Sequence, residues 1–141
     1  MPPPDGLLKL YESIEGEVNG VKYDCVGGLY WTKGEGGMPM IYGDPQVMPK
    51  NFIPQMPTLE GVQEANGLGM GFNLWRMQMF LDAKIPKPLF KTLQDFTPGV
   101  GAKAYTQDLY FFENAAKFGY RFACDTRVKV GHLDVLTGIV W

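Results

Sequence analysis

Apolar side chains recur along this chain with a spacing that changes from segment to segment, and each change predicts an element. Over residues 5–15, Leu7, Leu8, Leu10 and Ile14 follow a helical rhythm, entered from Pro2-Pro3-Pro4 and stopped at Gly16. Tyr23–Trp31 is nearly continuous in apolar character and flanked by glycine, which predicts a central strand. Between Gly34 and Gly61, Pro39, Pro45, Pro49, Pro54 and Pro57 forbid a long regular element. That stretch still carries Met38, Met40, Tyr42, Met48, Phe52 and Met56, too much apolar content for a solvated tail, so a functional loop is expected. Val62–Ala65 is a predicted strand. Leu74–Ala83 is a predicted helix with Leu74, Met77 and Leu81 on one face, ended by Pro86 and Pro88, and Gly99–Ala104 reads as a mobile link.

Residues 104–134 carry the densest pattern. Thr106 is placed to cap a helix, and Asp108 falls in its first turn, where the helix dipole favours a negative charge. Leu109, Phe112 and Ala116 recur at helical spacing, and Gly119 sits where a left-handed stop is wanted. Arg121–Cys124 and Val128–Val130 are predicted as two short strands, and the only histidine, His132, closes the unit. Asp108 and His132 thus lie at the edges of a helix–strand–strand unit whose polar groups can converge on a cleft.

Composition narrows the class. The chain has 141 residues, 45% hydrophobic and 20% charged, which suits one globular domain, 1–141. A net charge of −2 without a basic run argues against nucleic acid as a partner. No signal-like start and no apolar run long enough to span a bilayer is present, so a cytoplasmic chain, at most peripheral at the cytosolic membrane face, is expected. Cys25 and Cys124 fall in predicted buried strands as free thiols, not as a disulfide framework. At most one complete βαβ crossover can be drawn. The expected fold class is therefore α/β, part of a mixed sheet with flanking helices.

The 104–134 unit resembles the C-terminal signature of the GT-A glycosyltransferases, particularly the inverting family 2. Those proteins carry an acidic pair opening a helix, then A-x-x-x-G-Y-R, a strand and a V-x-H ending. The matching residues are Gln107-Asp108-Leu109-Tyr110-Phe111, Ala115-Ala116-Lys117-Phe118-Gly119-Tyr120-Arg121 and Val130-Gly131-His132. Gln107 stands where the first acid would be. More loosely, Asp24–Trp31 resembles the strand after the family's metal motif. Gly67–Phe72 resembles the glycine-rich wall before the acceptor site, and Lys87–Phe90 the segment after it.

The resemblance implies an inverting transfer of sugar from a nucleotide-sugar donor to a hydroxyl acceptor. Asp108 would be the general base and His132 a ligand to Mn²⁺ or Mg²⁺ in the intact enzyme. Gly69, Gly71, Phe72, Trp31 and Gln107 would contact substrate. No Asp-x-Asp metal motif occurs in the sequence, so the resemblance implies the acceptor-side half of such an enzyme. An N-terminal half or self-association would then cover the open sheet edge. The alternative is a non-catalytic carbohydrate- or partner-binding remnant.

Each residue also has a plainer reading. Asp108 alone is a helix-start acid, and His132 alone is a hydrogen-bonded histidine. Gly67-x-Gly69-x-Gly71 can mark a close backbone approach or a bulge as well as room for a sugar ring beside Phe72 and Trp75. Trp31 and Tyr30 can be core as well as a sugar-stacking surface.

Overall fold

The computed structural model describes residues 1–18, 20–59 and 61–140, with Lys103 described by its backbone alone. Its centre is a mixed four-stranded sheet. The strands are β1 (Cys25–Leu29), β3 (Val62–Ala65), β5 (Asn73–Trp75) and β8 (Phe122–Lys129), in the order β3-β8-β1-β5. The β1–β8 pair is parallel; β3 and β5 join antiparallel at the two edges. All five residues of β1 are buried, which its unbroken apolar run anticipates for an interior strand.

Alternation along the strands assigns the two faces. Val26 and Ala123 point to helix α1 (Gly6–Glu15) and pack with its Leu10 and Ile14. Cys25, Phe122 and Cys124 point to helix α3 (Gln107–Ala116) and pack with its Phe111, Phe112 and Ala115. Both cysteines are free and buried, and burial raises the Cys25 thiol well above its ordinary value and the Cys124 thiol to about 12. The short helix α2 (Gln78–Leu81) extends the α3-side core. Trp75, Phe80 and Phe111 form an aromatic stack there, with Phe80 and Phe111 parallel at 5.2 Å.

Three expectations need correction. Leu74 and Trp75 belong to edge strand β5, and only Gln78–Leu81 is helical. The Leu74 and Trp75 side chains face opposite sides of the sheet, as β geometry requires, and the Arg76 guanidinium donates to the Ile14 carbonyl at 2.7 Å. Residues 99–104 are no link: β6 (Leu93–Thr97) and β7 (Gly101–Tyr105) form a hairpin turning at Pro98-Gly99, where Gly99 has φ +80°. The two strands expected over 121–130 are one, β8.

Strand β8 runs through Asp-Thr-Arg with a register shift against β1, between the Gly28–Asp125 and Leu29–Lys129 pairs, and its buried polar groups there are satisfied. Asp125 accepts hydrogen bonds from Ser13 Oγ at 2.7 Å and from the Arg127 guanidinium at 2.7 and 2.9 Å. Thr126 Oγ1 accepts the Gly61 N–H and donates to the Gly61 carbonyl. In the 34–61 segment the one regular strand among the described residues is β2 (Ile41–Tyr42), paired with β4 (Gly67–Leu68) beside α3; Glu60 lies outside the described residues.

Candidate active site

The site candidates gather where β1 and β8, running parallel, reach their carboxyl ends, the side of an α/β sheet on which ligands sit. Tyr30 is the residue around which they gather. It follows β1, is buried, and its hydroxyl accepts the Gly71 N–H at 2.6 Å. Its ring meets the His132 imidazole edge-on, with centroids 6.2 Å apart. Burial, with the Asp108 charge adding to it, raises the Tyr30 hydroxyl to about 12. Tyr42 is raised for the same two reasons.

The glycine run has a direct explanation. A Cβ at Gly69 would overlap the Tyr30 hydroxyl, one at Gly71 would lie 2.8 Å from Tyr30 Cζ, and one at Gly67 would lie 2.9 Å from Leu109 Cδ2. The absence of side chains makes room for Tyr30 and α3 of the chain itself. A cavity of about 190 Å³ remains beside this contact, lined by Tyr30, Gly71, Phe72, Gly131 and His132.

Asp108 lies in the first turn of α3, half-buried. Its Oδ1 accepts both the Thr106 hydroxyl and, at 2.9 Å, the Leu109 N–H, so Thr106 acts through this carboxylate and makes no side-chain bond to the helix N–H groups. Both donors fall on one oxygen. Oδ2 has no partner among the described residues. Gln107 turns elsewhere: its Oε1 accepts the Thr92 hydroxyl at 3.2 Å, tying the start of the β6–β7 hairpin to α3.

His132 Nδ1 is 3.4 Å from the Trp31 carbonyl. A carbonyl only accepts, so this contact is a hydrogen bond when Nδ1 carries a proton. A hard divalent ion needs oxygen donors beside an imidazole nitrogen. Among the described residues no three His, Cys, Asp or Glu side chains converge, and the contacts of His132 are a carbonyl and a phenol ring. These side chains alone do not fit Mn²⁺ or Mg²⁺; further donors would have to come from outside them.

Trp31 faces a different space, a groove of about 500 Å³ lined by Leu29, Trp31, Thr58, Leu59, Lys129 and Val130 among others. The predicted site residues thus divide in three. Gly69, Gly71, Phe72 and His132 surround Tyr30, with Asp108 in electrostatic reach of it; Trp31 lines a neighbouring groove; Gln107 braces the hairpin. Tyr30 is the member whose central place the sequence hides, because its partners are about forty residues and more away in the chain.

No protein-family model, no curated protein and no solved structure matches the chain. No helix among the described residues is long and apolar enough to cross a membrane.

Proposed function

We propose that this chain supplies the acceptor side of an inverting glycosyltransferase, with the donor diphosphate held by residues outside 1–141. Asp108 is the general base. Its Oδ2 takes the proton of an acceptor hydroxyl as that oxygen attacks the anomeric carbon. The bond from that carbon to the departing nucleotide phosphate breaks with its electron pair, and the configuration inverts. The observation that carries this reading is the one-sided anchoring of Asp108: two donors hold Oδ1, while Oδ2 has no partner among the described residues. Tyr30, which feels the Asp108 charge, and His132 line the neighbouring cavity with Gly71 and Phe72.

The test is Asp108→Asn in the chain complemented by a donor-binding half. Asparagine keeps the size but cannot take a proton, and kcat should fall about 10²–10⁴-fold. A helix-start acid predicts instead a stability loss of about 1 kcal/mol or less with activity intact. A kcat within a few-fold of the parent, with both substrates still bound, removes Asp108 from the chemistry. Calorimetry checks the other half of the proposal: UDP-, GDP- and dTDP-sugars with Mn²⁺ should not bind the chain alone at micromolar level.

A further inference from the structure

The groove in front of Trp31 is separate from the Tyr30–His132 cavity, and the two share the wall Val130-Gly131. Three features of it converge on one ligand class. The Trp31 side chain is half-buried and presents an aromatic surface, and Leu29, Pro57, Leu59 and Val130 make the rest largely apolar. Such a surface suits the C–H face of a sugar ring. Thr58 adds a hydroxyl that makes no hydrogen bond among the described residues. Among the described residues Lys129 is the only charged one lining the groove, and it has no ion-pair partner among them. An unpaired ammonium beside an aromatic plate selects an anion. At about 500 Å³ the groove falls within the usual range for small-molecule sites, about 300–1,000 Å³.

We infer that the Trp31 groove is a saccharide subsite for a sugar unit bearing a carboxylate or a phosphate, with Trp31 stacking on the ring and Lys129 meeting the anion. The inference rests on the acceptor-side reading and gives the acceptor a chemistry: an anionic glycan, whose charged unit sits on Trp31. Trp31 also joins the two spaces covalently, since its carbonyl contacts His132 while its side chain faces the groove. Occupancy of the groove should therefore be felt at His132.

The experiment follows the indole N–H resonance of Trp31, identified by its loss in Trp31→Phe, while methyl glucuronide, glucose 6-phosphate and methyl glucoside are titrated separately. The two anionic sugars should shift the resonance and bind about five-fold more tightly than the neutral one, as one screened charge pair allows. Lys129→Gln, at an exposed position, should erase that preference and leave the neutral sugar unchanged. A response to one anion only supports the inference and names the source of the charge. Equal binding of neutral and anionic sugars, a preference that survives Lys129→Gln, or a Trp31 resonance unmoved by all three probes overturns it. The readout needs neither donor nor metal nor the Asp108 proton. A failed transfer assay therefore leaves it in force, and a silent Trp31 leaves the Asp108 assignment in force.

Discussion

Asp108 and Asp125 lie on opposite faces of the same sheet, and they differ in how their oxygens are used. Asp125 is fully buried against α1, and both of its oxygens are occupied, by Ser13 Oγ, the Arg127 guanidinium and the Arg127 N–H. Burial alone would raise its carboxyl, but the hydrogen bonds from Arg127 and Ser13 outweigh that and hold it below the usual range. Asp108 is half-buried, with one oxygen held and the other without a partner among the described residues. The comparison teaches that a carboxylate whose every lone pair is matched holds α1 on β8, whereas the proton-accepting role proposed for Asp108 needs the oxygen that no described residue occupies. Burial by itself does not separate the two roles.

The largest effect expected from this contrast is on stability. Asp125→Ala should destabilise the fold by about 2–3 kcal/mol in urea denaturation. That is below the 3–5 kcal/mol of a fully buried pair, because Arg127, 38% exposed at its side chain, can turn to water. Asp108→Asn should cost about 1 kcal/mol or less. Equal losses would break the comparison. Acid sharpens it. The folded carboxyl of Asp125 lies below its unfolded value of 3.8, so its contribution is complete above that pH. The contribution drains away as pH falls through the lower, folded value. Asp125→Asn should therefore flatten the stability curve below about pH 4, as urea denaturation at a series of pH values would show.

A smaller effect concerns the wall beside Asp108. Gly69→Ala forces a methyl into the Tyr30 hydroxyl and should cost about 1–3 kcal/mol by thermal denaturation. On a Tyr30→Phe background the cost should shrink, since the overlapping oxygen is gone. Additive losses in the double variant would mean that the glycine does not serve Tyr30. The smallest effect is spectroscopic. In an alkaline absorbance titration Tyr30 should ionise near 12, and Asp108→Asn should move Tyr30 and Tyr42 downward together by removing the negative charge both feel.

Much of this frame is legible in the amino-acid pattern. Helix α1, strands β1 and β3 and helix α3 form where their patterns place them, although in α1 only Leu10 and Ile14 of the expected apolar positions are buried while Leu7 and Leu8 are exposed, and the α3 stop at Gly119 has the left-handed φ of +90° that its position anticipates. The buried face of α3 is displaced by one residue, onto Phe111 and Ala115 with Phe112, because the aromatic stack with Trp75 and Phe80 draws it round. Leu74, Met77 and Leu81 fit a helical wheel equally well as a strand end followed by one turn, and sheet pairing with β1 decides between them. Asp125-Thr126-Arg127 looks like a loop until Ser13 and Gly61, both distant in sequence, supply its partners. In the candidate site Asp108 with Thr106 is local and therefore readable, whereas the Tyr30–Gly71 contact is not. Gln107, a departure from an acidic pair, is explained by a bond to Thr92 that no spacing rule encodes.

The position of β8 has a consequence for how the molecule comes together. It is the last strand in the chain order and an interior one, flanked by β3 and β1, and β3 has no other partner in that sheet. Its entry is secured across great chain distances, as where the Arg121 N–H donates to Asp24 Oδ2 over 97 residues. During synthesis β1 and β5 can zip early, but β3 must wait with an unpaired edge until residues 122–129 leave the ribosome. Such high contact order slows folding and leaves the nascent chain prone to association. Nascent chains stalled on a C-terminal linker long enough to carry residue 129 out of the ribosome should resist protease, and chains ending before residue 122 on the same linker should not.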